Sequence, residues 1–193
     1  APDLVIVKSM GNTFNWIVYS RPVGATKQLR LNLDAAEDTQ SSIWQDTDPS
    51  STVFTIGTEG NVNTSTDDLI AYCFTSIEGY SKVGSYTGNN NADGPFIYTG
   101  FKPAWVMCKA YGTGGTHYDW PIYDSTRSTY NEIQAVLEAN QGQAEVVDDG
   151  RGLPMDFTSN GIKFRSSAAE NNSDTTYIYL AFAESPFKYS NAR

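Results

Sequence analysis

A sugar-cleaving β-sandwich needs two carboxylates held about 5 to 10 Å apart, so the acidic residues are where chemistry is sought first. The chain offers Asp67-Asp68 and Asp148-Asp149 as adjacent pairs among polar or glycine neighbours. Side chains that follow one another on an extended chain diverge, so neither pair reads as a general acid and base. Both read as solvated turns, with calcium ligation as the alternative chemistry. His117 is the single histidine, and "GSYTG" at Gly84 to Gly88 lacks the central serine of a nucleophile elbow. "GTGG" at Gly112 to Gly115 is too short for a phosphate fingerprint and no helical pattern follows it. Cys73 and Cys108 sit in apolar runs without a CxxC partner, which predicts two buried thiols. The expectation is therefore no catalytic residue, no metal site and no cofactor.

Recognition chemistry is better represented. Trp44 in "SSIWQDTDPSS", Tyr111 and His117 in "YGTGGTHYDW", and Tyr130 in "STRSTYNE" lie in polar or glycine-rich stretches. Exposed rings in such loops stack on the apolar faces of sugars while Asn, Asp and Ser take the hydroxyls. These four are the candidate ligand-binding residues. Simple anchoring of the loops is the competing reading.

The elements that would carry these loops are written twice. Pro2 to Lys8, "PDLVIVK", is answered by Pro103 to Lys109, "PAWVMCK", and "NWIVYSR" from Asn15 by "DWPIYDSTR" from Asp119. Leu31 and Leu33 are set against Leu137 and Ala139, "VFTIG" from Val53 against "DFTSNG" from Asp156, and "LIAYCF" from Leu69 against "IYLAF" from Ile178. Landmarks in the same order predict an internal duplication, with copies over about 2–78 and 103–187. Each copy holds five short extended segments, and Trp16 and Trp120 recur as expected core residues. Asn160-Gly161 is the clearest hairpin signal. Only "STYNEIQAVLEANQ" from Ser128 has helical spacing, and its match to a strand-like segment favours strand there too. Residues 79–102 read as a linking hairpin around an Asn-rich turn. A similar hairpin is expected ahead of the first copy, which would place the missing strands upstream of Ala1.

With 193 residues, many β-branched and aromatic positions and turn residues between them, the chain predicts one all-β, antiparallel β-sandwich domain with little helix. A net charge of −9 argues against nucleic acid as a partner, and no apolar run is long enough to insert into a membrane.

"IAYCFTSIEGYSKVGSYTGNNNADGPFIYTGFKPAWVMCK" and the closing "TYIYLAFAESPFKYSNAR" resemble a domain found at the C-terminal ends of tail-fibre-like and other structural proteins of marine bacteriophages. The resemblance implies a concanavalin-like (jelly-roll type) sandwich, a place on the virion surface beside other virion proteins, and self-association as a homotrimer. It brings no catalytic residues. Three functions follow as expectations: attachment to a host-surface glycan or protein, a purely structural role in decorating a capsid or trimerising a fibre, and a divergent glycan hydrolase. The carboxylate pattern counts against the last.

Overall fold

Apolar runs such as Leu4-Val5-Ile6-Val7 are continuous, where a half-buried strand would alternate, and strands covered on both faces carry that signature. The computed structural model describes residues 1–112, 119–147 and 153–187. In chain order it contains β1 (Leu4–Ser9), β2 (Ile17–Ser20), β3 (Lys27–Arg30), β4 (Asp38–Thr39), α1 (Ser41–Trp44), α2 (Gly60–Asn63) and β5 (Leu69–Phe74). After these come β6 (Ser81–Thr87), β7 (Phe96–Tyr98), β8 (Pro103–Ala110), β9 (Pro121–Asp124), β10 (Ala135–Glu138), β11 (Val146–Val147), β12 (Met155–Thr158), β13 (Gly161–Phe164) and β14 (Thr176–Ala183). The chain is all-β, and every strand pairing is antiparallel.

Two large sheets form the sandwich, one ordered β4-β3-β2-β1-β5 and the other β11-β10-β9-β8-β14-β6. Between them lie Leu4, Ile6, Val18 and Leu29 from the first, and Val83, Met107, Trp120, Ile178 and Leu180 from the second. The outer face of the second sheet (Val106, Cys108, Tyr123, Tyr177, Tyr179) is covered by Met155, Phe157, Ile162 and Phe164 of a third sheet, β12-β13-β7. The outer face of the first (Val5, Val7, Ile17, Tyr19) is covered by Ile43 and Trp44 of α1, Val62 of α2, and Phe54 and Ile56 between them. Alternate residues of β1 and β8 thus point into different apolar layers, and both strands are buried throughout their central residues.

Strand registers follow the repeat. Leu4 opposes Ser20 and Trp105 opposes Asp124, a correspondence met by offsets of 101 and 104. Leu4 opposes Phe74 and Trp105 opposes Phe182, which gives 108 for β5 and β14. Phe74 and Phe182, equivalent at this offset, pack edge-to-face across the seam with ring centres 6.1 Å apart.

The third landmark shifts by two residues. The pairings Val18–Leu29 and Ile122–Leu137 set Leu29, not Leu31, against Leu137. Hydrogen bonds agree: Asn32 accepts from the Trp16 N–H at 2.9 Å, and Asn140 accepts from the Trp120 N–H at 2.9 Å. The match of leucine to leucine misled because leucines recur two residues apart at Leu29, Leu31 and Leu33, and the asparagine bond is what fixes which of them corresponds.

Other expectations give way to packing. "VFTIG" forms no strand; Phe54 and Ile56 instead pack beside the two one-turn helices. Residues 79–102 are not a hairpin, since β6 joins the second sheet and β7 the third. Their Asn-rich turn is held by buried Asn172, whose amide donates to Asn89 Oδ1, the Asn91 carbonyl and the Ser166 carbonyl. The Ser128 segment is strand at β10, and β12 and β13 form the hairpin expected at Asn160-Gly161. Cys108 is buried but Cys73 is exposed, because β5 lies at a sheet edge. Trp120 is buried, whereas Trp16 is only half-buried.

Candidate functional site

The loop between β9 and β10 is fixed by short-range polar bonds before it presents anything to solvent. At the end of β9, Asp124 Oδ1 accepts from the backbone N–H of Thr126 at 2.9 Å and of Arg127 at 2.8 Å, and Oδ2 pairs with the Arg127 guanidinium. Burial raises the Asp124 pKa, but the Arg127 N–H and guanidinium outweigh it and hold the carboxyl below its ordinary value. Arg127 also reaches Glu145 at 3.1 Å and the Ile122 carbonyl at 3.0 Å. Ser128 Oγ accepts from the N–H groups of Gln134 and Ala135. Asn131 clasps Phe157, donating to its carbonyl at 3.1 Å and accepting from its N–H at 3.0 Å.

Pinned on both sides, this loop holds the Tyr130 ring 84% exposed. Tyr130 borders an open cleft of about 220 Å³ that buried Ile133 and Phe157 line with apolar surface and Ser125, Thr129 and Lys102 with polar groups. Lys102 Nζ is held by Glu184 Oε1 at 2.9 Å. The arrangement offers a flat aromatic face beside hydroxyl and ammonium donors, with the Asn131 amide committed to Phe157. Such a surface binds a polar ligand that also has an apolar face.

Neither Trp44 nor Tyr111 lines this cleft. Trp44 was expected to be exposed in a loop; instead it is 2% exposed in α1, packed edge-on against Tyr19 at 5.9 Å, and its Nε1 has no hydrogen-bond partner among the described residues. Ser41 and Ser42 precede it in the one-turn helix and exposed Gln45, Asp46 and Thr47 follow, so local composition concealed the inward direction of one ring. Tyr111 is half-buried directly after β8, packed against the layer between the two large sheets, with its backbone bonded to Thr176 and Glu37. His117 and Asp148-Asp149 lie outside the described residues. Asp67 is tied to Ser9 and Asn12, whose hydrogen bonds hold its carboxyl below the usual range. Among the described residues no group of three or more His, Cys, Asp or Glu is placed to hold a metal ion.

Sequence reasoning passed over β7. Tyr98 is 66% and Phe96 48% exposed, and Tyr98 lines a second cleft of about 390 Å³ with Ile77, Ser81 and Lys82. The alternation in "FIY" after a polar turn was the available signal, since it directs Ile97 inward and both aromatic rings outward.

A family model described as a domain of unknown function, DUF7483, matches residues 1–186. The chain belongs to this family. The match runs from β1 through β14. No curated protein and no solved structure matches the chain. Among the described residues of this DUF7483 domain, no helix is long and apolar enough to cross a membrane.

Proposed function

We propose that this domain is a non-enzymatic attachment module of a phage virion, a tail-fibre-like element that holds a host-surface glycan. The observation that carries the reading is the Tyr130 ring, presented open to solvent by a loop that hydrogen bonds keep rigid. A pre-set aromatic platform binds a sugar ring with little ordering cost, and Ser125 and Thr129 supply the hydroxyl contacts. The resemblance to phage fibre proteins supports the virion location and assembly as a homotrimer. Single-site affinity is expected to be about millimolar and to gain its usefulness from several copies acting together.

The test is adsorption of multimerised protein to a glycan array, with light scattering on the same preparation expected to give three copies. Tyr130→Ala should reduce retention at least about tenfold, as loss of a stacking ring does. If wild-type multimers retain no glycan, the attachment reading is lost. A purely structural role in capsid decoration or fibre assembly is the second reading, and the exposed apolar strand β5 favours it.

A further inference from the structure

A strand at a sheet edge carries a row of unpaired N–H and C=O groups, and proteins close such edges with short strands, side-chain clasps or charge. Most edges among the described residues of this molecule are closed. Strands β4 and β11 have two residues each and β7 has three. Along β6, Ser76 Oγ accepts from the Val83 N–H at 3.1 Å and donates to the Val83 carbonyl at 3.4 Å, and Ile77 bridges to Ser81. Along β12, Asn131 takes both backbone groups of Phe157, and Ile133 bridges to Met155.

Strand β5 has none of these devices. Its six residues, LIAYCF, include no charge, proline or glycine, and among the described residues β1 is its one paired neighbour. Met10 donates to the Asp68 carbonyl at 2.9 Å, so the alternation of an antiparallel ladder turns the backbone groups of Leu69, Ala71 and Cys73 away from β1. In the other copy the equivalent groups belong to Tyr177, Tyr179 and Ala181, which oppose Tyr86, Gly84 and Lys82 of β6. Burial follows the pairing: Leu180 is 2% exposed and its counterpart Tyr72 is 42% exposed.

We propose that the free edge of β5 is a docking site for an extended segment of the β6 type, presented by a partner polypeptide and added antiparallel opposite Leu69, Ala71 and Cys73. The β14–β6 contact is the same interface one copy over, and it specifies the occupant: an uncharged or singly charged alternating strand. A second copy's own β6 does not qualify, since it is paired with β14 on one side and clasped by Ser76 on the other. One position is relaxed. Gly84 has to be glycine because a Cβ there would lie 2.8 Å from the Tyr179 ring; opposite Ala71 no ring stands in the way, so the docked strand takes a larger residue. This inference does not rest on the attachment reading.

The test titrates a labelled synthetic peptide of residues 79–88 against the full chain, reading fluorescence anisotropy and amide exchange by NMR. Saturable binding below about 1 mM is expected, with new protection at Leu69, Ala71 and Cys73. Ala71→Pro removes an N–H that β1 does not use, and should weaken binding at least about tenfold. Cys73→Lys, which keeps the β1 ladder and charges the edge, carries the same test if the proline variant loses its fold. A peptide with Gly84→Val should bind at least as well as the native peptide. Loss of binding by that peptide would mean displacement of β6 from β14 and would overturn the proposal, as would equal binding to the edge variants or none to the wild type. Self-association that Ala71→Pro abolishes would give the edge to a second copy and overturn it as well.

Discussion

Between the two large sheets the copies are nearly interchangeable, whereas on their outer faces they are not. In the seam, Asn32 and Asn140 make the same bond to the tryptophan N–H, and their amides reach back to Asn15 and Asp119. Outside, copy two is covered by a three-stranded sheet and copy one by two one-turn helices and two partly buried side chains. Each inner face is packed against the other copy, so a change on one side has to be met on the other. An outer face needs only apolar cover of the right area, and strands or helices supply it equally well. Repetition is therefore preserved where the copies constrain each other and lost where they do not.

The largest break in the seam should come at its tryptophans, and it should be unequal. Trp120 is 1% exposed, and its Nε1 donates to the carbonyls of Arg30 at 3.0 Å and Leu33 at 3.2 Å in the other copy. Trp120→Ala removes a filled volume and a bond between copies, and should cost about 3 to 5 kcal/mol in denaturant unfolding. Trp16→Ala should cost less, since Trp16 is only partly buried. Equal losses would show that the seam is symmetric in energy despite its asymmetric exposure.

That inequality marks the limit of what the sequence displays. The all-β class, the order of the repeats and the offsets of 101 and 104 are legible because long apolar runs and paired tryptophans survive divergence. The layer that covers each copy is not, because "VFTIG" and "DFTSNG" look alike while only the second pairs as strand. For the same reason Tyr130 and Trp44 could not be told apart: both are aromatic residues in polar stretches. Their exposures of 84% and 2% depend on which way a turn directs one side chain.

Lys8 and Lys109 sharpen the comparison through pH. They are equivalent in the repeat, yet Lys8 reaches the carbonyls of Ser9 and Asn12, and Lys109 is fully buried with Nζ 5.5 Å from the centre of the Trp120 ring. Desolvation lowers the Lys109 pKa to about 7, against partial compensation from Asp119 and Asp34. The unfolded chain holds that proton up to about 10.5. Between these values the unfolded state binds more protons than the folded one, so stability rises with pH. The gain from pH 7 to pH 9 should be about 2 kcal/mol. Lys109→Met should remove this slope in urea titrations at a series of pH values, and Lys8→Met should leave it. A slope unchanged in Lys109→Met would place its cause elsewhere.

The smallest effect is expected where the seam falls short of its own symmetry. Register sets Leu31 against Ala139, and the missing side chain leaves an open cleft of about 270 Å³ lined by Trp16, Leu31, Asn32 and Ala139. A leucine at 139 would extend over the Trp16 ring and exclude water from it, while the backbone bond from Ala139 N–H to the Trp120 carbonyl at 3.1 Å is untouched. Because Ala139 is exposed and the cleft is open, part of the new side chain stays in water, and rotamer entropy offsets part of the gain from covering the ring. Ala139→Leu should therefore stabilise the fold by about 0.5 to 1 kcal/mol, read as a shift in urea midpoint at constant slope. It should also raise the cost of Trp16→Ala toward that of Trp120→Ala in the double mutant, since a covered ring has more to lose. A destabilised variant, or a Trp16→Ala cost that does not move, would mean that the cleft is set by the backbone and that the two halves of the seam differ by more than one side chain.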